Sequence, residues 1–144
     1  MKRIQNGIIA GLIAGLVLGV LFFLDYGPAG LLHTPARWLG LDNKSAGQLI
    51  GFLLFIVLGG IFGAIFGTIL RKREITIGRS LLLGAATGVL YWVIVPFLFG
   101  TIINHSHLDL SSFLYSFVPL LLYGVLLGAL FFQREARAEA ILRA

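Results

Sequence analysis

Four apolar stretches dominate this chain, and none of them contains an Asp, Glu, Lys, Arg or His. They run from about Ile4 to Leu24, Ala46 to Leu70, Ser80 to Ile103 and Ser111 to Phe132. Crossing the hydrocarbon core of a bilayer takes about 20 apolar residues of helix, and each stretch is long enough. A soluble fold does not accommodate them: 58% of the 144 residues are hydrophobic and 12% are charged, whereas an ordinary soluble domain carries about 25% charged residues. One core of this size leaves too much apolar surface in water. Disorder needs the opposite composition, low hydrophobicity with high charge. Lipid offers backbone groups no hydrogen-bond partner, so the spans must be helices. The expected fold is an all-α integral membrane protein with four transmembrane helices.

The basic residues orient it. Lys2 and Arg3 precede the first span, Arg71, Lys72, Arg73 and Arg79 link the second to the third, and Arg134, Arg137 and Arg143 follow the fourth, which is nine of the eleven on one side. Arg37 and Lys44 alone lie on the other. The positive-inside rule then puts both termini in the cytoplasm, here of a bacterial or archaeal plasma membrane. The net charge of +5 belongs to these span ends, where it meets anionic lipid. No basic stripe or reader motif points to nucleic acid. The opening run reads as a span rather than a cleaved leader, because it is long and no small-x-small site follows. The chain has no cysteine, which excludes disulfides and thiolate metal sites.

The two halves resemble each other. Gly15-Leu-Val-Leu-Gly19-Val-Leu-Phe-Phe23 aligns with Gly84-Ala-Ala-Thr-Gly88-Val-Leu-Tyr-Trp92, and the segment Phe52 to Phe66 aligns with Phe117 to Phe131. Residues 1–70, with an outer loop at 25–45, form one expected hairpin repeat. Residues 71–144, with a cytoplasmic tail at 133–144, form the other. Each half begins and ends on the same side, so the repeats are parallel and related by an axis along the membrane normal. Glycines recur every four residues, at Gly7, Gly11, Gly15 and Gly19, at Gly59, Gly63 and Gly67, at Gly84 and Gly88, and at Gly124 and Gly128. Residues four apart share a ridge, and a ridge without side chains lets a second backbone approach, the usual seam between helices in lipid. Packing within the chain is the expected use, with a homo-oligomer seam as the alternative. If Leu18, off the glycine ridge, faces lipid, truncating it should cost less than a change on the ridge.

The run Gly59-Gly-Ile-Phe-Gly63-Ala-Ile-Phe-Gly67 followed by Arg71 resembles the glycine-rich first helix of the small four-helix fluoride channels. The resemblance covers one helix of four, and that family's polar Asn and Phe-Ser/Thr-rich break are absent from the third span. Fluoride conduction is therefore not carried over.

Three groups of residues are candidates for chemistry. Thr87, Tyr91, Trp92, Pro96, Pro119 and Tyr123 collect near the middle of the second half, where Tyr and Trp are unusual. They predict either a small polar pocket between the third and fourth spans or a kinked hairpin whose tyrosines bond carbonyls freed by proline. The second is favoured. In the outer loops, His105 and His107 have a His-x-His spacing that binds a transition metal when further ligands join, and Asp109 and Asp25 are within reach in sequence. Such pairs are common without metal, and no cofactor is expected. Thr34 and Pro35 mark a helix start, predicting an interfacial helix that carries Trp38 and Leu39. The tail from Gln133 to Arg143 reads as a solvated helix end with glutamate and arginine one turn apart.

No catalytic triad, metalloprotease motif or phosphate loop appears, and no ionisable residue sits inside a span, as ion-coupled transport generally requires. An enzyme is not expected. The composition suits a non-enzymatic structural or accessory subunit of a membrane assembly. The alternative is an oligomeric permease or channel for a small uncharged solute. The charge bias makes a direct prediction: single cysteines at Ser45 and Ser106 should react with an impermeant thiol reagent added to intact cells, and one at Thr76 should not. Labelling at Thr76 would reverse the topology.

Overall fold

The structure is a computed structural model and describes residues 2–25, 44–72, 75–96, 114 and 117–143. Four long helices account for nearly all of them: α1 (Lys2–Asp25), α2 (Lys44–Ile69), α3 (Ile77–Pro96) and α4 (Phe117–Arg143). A single 3-10 turn, Leu70–Lys72, closes α2. Each helix holds a segment long and apolar enough to cross a membrane, at Lys2–Leu21, Leu49–Ile69, Ile77–Ile94 and Phe117–Ile141. At a rise of about 1.5 Å per residue, the 24 residues of α1 cover about 36 Å, more than the roughly 30 Å of a hydrocarbon core.

Helix α3 begins at Ile77, earlier than Ser80, because Thr76 caps it: its Oγ1 accepts from the backbone N–H of Arg79 at 3.4 Å, and its carbonyl takes the first helical bond, from Ser80 N–H at 2.9 Å. This is the usual work of an N-cap threonine. Helix α4 continues unbroken from its span through the expected tail to Arg143.

The helices run alternately up and down. Helix α1 lies along α2 and α3 along α4 in two intimate pairs, α1 also packs on α4, and α2 and α3 meet only sparsely. Within each pair the backbones are close. A Cβ built on Gly15 would lie 2.7 Å from the carbonyl oxygen of Phe55, one on Gly59 would lie 2.6 Å from that of Gly11, and one on Gly67 would lie 2.7 Å from that of Arg3. At Gly7, Gly11 and Gly63 the new atom would fall on the facing carbonyl itself. In the second pair, Gly84 and Gly124 face each other in this way, Gly88 faces the Leu120 carbonyl, and Gly128 faces that of Ser80. Gly19 differs, since a Cβ there would meet the Phe52 ring and not backbone.

These contacts define a correspondence between the pairs. Gly11 meets the Gly59 carbonyl and the Gly63 Cα as Gly84 meets the Gly124 carbonyl and the Gly128 Cα, and Gly15 stands to Phe55 and Gly59 as Gly88 stands to Leu120 and Gly124. The match for the leading helices is one turn away from the sequence alignment, which paired Gly15 with Gly84. It carries through the core: Leu18 falls opposite Tyr91, Phe55 opposite Leu120, Phe62 opposite Leu127 and Phe66 opposite Phe131, all eight buried. Leu18 is thus not a lipid-facing residue. Together with Ala10 and Ala14 it forms the ridge beside the glycines, and that ridge turns into the bundle.

The outward faces are aliphatic. On α2 alone, Leu49, Leu53, Val57, Ile61, Ile65 and Ile69 form an exposed row at four-residue spacing. Substitutions should separate the seam from the surface. Gly63→Ala adds one methyl where the Gly7 carbonyl sits, and should destabilise the bundle by about 1–3 kcal/mol, as overpacking does. Gly78→Ala, with no atom within 4 Å of the new Cβ, should be neutral or stabilising by up to about 1 kcal/mol. Thermal unfolding in detergent reads both, and equal midpoints would show that the glycine contacts do not limit stability.

Candidate functional site

The polar residues expected to line a pocket do not converge. The Thr87 hydroxyl turns back on its own helix and donates to the Leu83 carbonyl at 2.8 Å. Trp92 packs edge-on against Phe117, with ring centroids 4.9 Å apart. Pro96 is the last described residue of α3, and Pro119 lies in the first described turn of α4. Tyr91 and Tyr123 meet, edge to face at 5.0 Å between centroids.

Their surroundings differ from both expectations. Helix α2 supplies Phe62, stacked on Tyr91 at 4.5 Å, and Phe55, tilted against it at 6.5 Å. The cluster therefore belongs to α2, α3 and α4, not to a cleft between α3 and α4. Nor does Tyr123 bond a carbonyl freed by proline. Its hydroxyl donates to the Gly59 carbonyl of α2 at 2.8 Å. That oxygen lies on a ridge without side chains, which leaves it open from the side. The Tyr91 hydroxyl is enclosed with no hydrogen-bond partner, and the residue is 0% exposed.

Below this cluster, Phe66 and Phe131 pack edge to face at 5.2 Å. Ser80, fully buried, donates to the Gly128 carbonyl at 2.8 Å, a side-chain bond across the α3–α4 seam.

A second polar group lies at the end of the bundle where α1 begins. Glu135 is 8% exposed and accepts from Arg3 Nε at 3.1 Å and from Asn6 Nδ2 at 2.6 Å. The Arg3 guanidinium also donates to the carbonyls of Leu70 and Arg71, at 3.0 and 3.2 Å. Arg134 Nε reaches Asn6 Oδ1 at 3.4 Å. Within the expected solvated tail, Glu135 is thus buried in a clasp between α1, α2 and α4, while Gln133, Arg137 and Glu139 are exposed. Its sequence signal is positional: Glu135 continues the four-residue run of Leu127 and Phe131, both buried, and it occupies the contact position that Leu70 holds in the first pair.

His33, His105, His107, Asp109 and the segment from Leu31 to Leu39 lie outside the described residues, so the outer-loop metal and interfacial-helix expectations have no geometry to report. Compared with protein-family models, curated proteins and solved structures, the chain matches none.

The two tyrosines should respond differently to loss of the hydroxyl. Tyr123→Phe removes a neutral bond inside the bundle, worth on average about 0.6 kcal/mol, and leaves the Gly59 carbonyl with its helical bond alone. Tyr91→Phe removes an unpaired buried hydroxyl, whose enclosure costs about 1–3 kcal/mol, and should leave stability unchanged or raise it. A Tyr91→Phe midpoint lower than that of Tyr123→Phe would contradict the assignment of partners.

Proposed function

We propose that this protein is a non-enzymatic structural or accessory subunit of a membrane assembly, built as two parallel hairpin repeats whose glycine ridges act as packing seams, with both termini cytoplasmic. The observation that carries the reading is the filled interior. Leu18, Phe66, Tyr91, Leu120, Tyr123, Leu127 and Phe131 are all at most 2% exposed and form one continuous apolar core. Close backbones within the hairpins leave the middle to large side chains, which suits a rigid spacer better than a conduit. The exposed aliphatic rows are faces for lipid or for neighbouring subunits. The matching contacts of Gly11 with Gly84 and of Gly15 with Gly88 support the repeat.

Two measurements test this against the permease alternative. In native membranes solubilised with mild detergent, the tagged chain should migrate in a particle larger than its 15.6 kDa plus a micelle. Vesicles carrying the purified chain should swell in glycerol or urea no faster than empty ones. A monomeric particle together with swelling that Tyr123→Phe abolishes would replace the structural reading with the permease.

A further inference from the structure

The Tyr91 hydroxyl is costly and does nothing for the fold. It is wholly enclosed and unpaired, and a neutral group in that state loses the hydrogen bonds that water would give it. The other hairpin shows what packing requires at this place. Leu18, its counterpart by contact, is equally buried and purely apolar. Bulk is needed there, and an oxygen is not. The three rings packed on Tyr91 are those of Phe55, Phe62 and Tyr123, and the one hydroxyl among them donates to Gly59.

Tyr91 also packs across a sparse seam. Backbone lies against backbone between α1 and α2 and between α3 and α4, and the Arg3–Glu135 clasp ties α1 to α4. Between α2 and α3 the helices meet sparsely, and the gap is bridged by the aromatic side chains of Phe55, Phe62 and Tyr91. The outer faces beside this seam, Ile61 and Ile65 on α2 and Leu90 and Ile94 on α3, are exposed and aliphatic.

We propose that the α2–α3 seam is a binding site for a neutral, lipid-soluble molecule carrying a carbonyl oxygen, which accepts a hydrogen bond from Tyr91 and lies against Phe55 and Phe62. Access through aliphatic faces selects an apolar molecule. The sequence from Ser80 to Ile103 around Tyr91 holds no charged residue, which selects a neutral one, and a phenol O–H without a partner selects an acceptor. This site goes beyond the packing role and does not depend on it.

Benzophenone is a suitable probe, because it is a neutral aryl ketone that inserts into nearby C–H bonds on irradiation. Purified protein in lipid vesicles is irradiated with it, and the adducts are mapped by mass spectrometry. Adducts are expected on the segments holding Phe55, Phe62 and Tyr91. Labelling should fall about fivefold in Tyr91→Phe, the worth of one neutral hydrogen bond, and persist in Tyr123→Phe. In the unaltered protein, excess fluorenone should suppress it and fluorene, the same skeleton without the carbonyl, should not. Equal labelling of Tyr91→Phe and the unaltered protein, equal competition by fluorene and fluorenone, or adducts confined to outward residues such as Leu53 and Leu82 would each overturn the proposal.

Discussion

Within each hairpin the helix backbones run so close that a methyl group at Gly11, Gly63, Gly84 or Gly124 would land on the carbonyl oxygen of the facing helix. In water, a glycine inside a helix costs about 0.5–1 kcal/mol against alanine. In lipid the balance changes, because no hydrophobic force draws helices together and contact area has to come from close approach. The rest of the bundle follows from that closeness. Two tight pairs cannot also touch each other through backbone on the same faces, so the space between them is filled by side chains. That is why the largest buried residues, Tyr91, Tyr123, Phe66 and Phe131, gather along the junction of the pairs.

The junction is lopsided. Helices α1 and α4 pack closely while α2 and α3 do not, although a strict two-fold axis would make these contacts equivalent. The asymmetry has chemical counterparts. At the end where α1 begins, Glu135 stands where the first pair has Leu70, and it holds Arg3 and Asn6. In the middle, Tyr91 stands where the first pair has Leu18. Polar atoms occur where the halves differ, and apolar residues and glycine occur where they match.

The helices were legible in the sequence because lipid leaves an apolar stretch of that length one backbone solution. The inward faces were less so. The sequence leaves the direction of Leu18 open, because the Ala10–Ala14–Leu18 ridge beside the glycines carries no distinguishing chemistry, and the bundle buries it. Glu135 was read as solvated because carboxylates usually are. Its burial depends on Arg3, which no local pattern connects to it. The partner of Tyr123 was hidden for a related reason: a glycine carbonyl on another helix has no signature in the spacing of tyrosine and proline. One-helix periodicity can mark a ridge, but which ridge faces which is settled between helices.

The clasp has a consequence for the order of assembly. Arg3 and Glu135 are separated by 132 positions, so α1 is made well before the carboxylate that holds it. The α1–α2 seam joins consecutive helices and can form as soon as α2 is made. Contacts of long sequence separation form late, and chains of this kind assemble unit by unit during synthesis. Before α4 is complete, Arg3 can already bond the carbonyls at the end of α2. The same arginine that closes the first hairpin then waits to receive the last helix, which makes the beginning of the chain the docking point for its end.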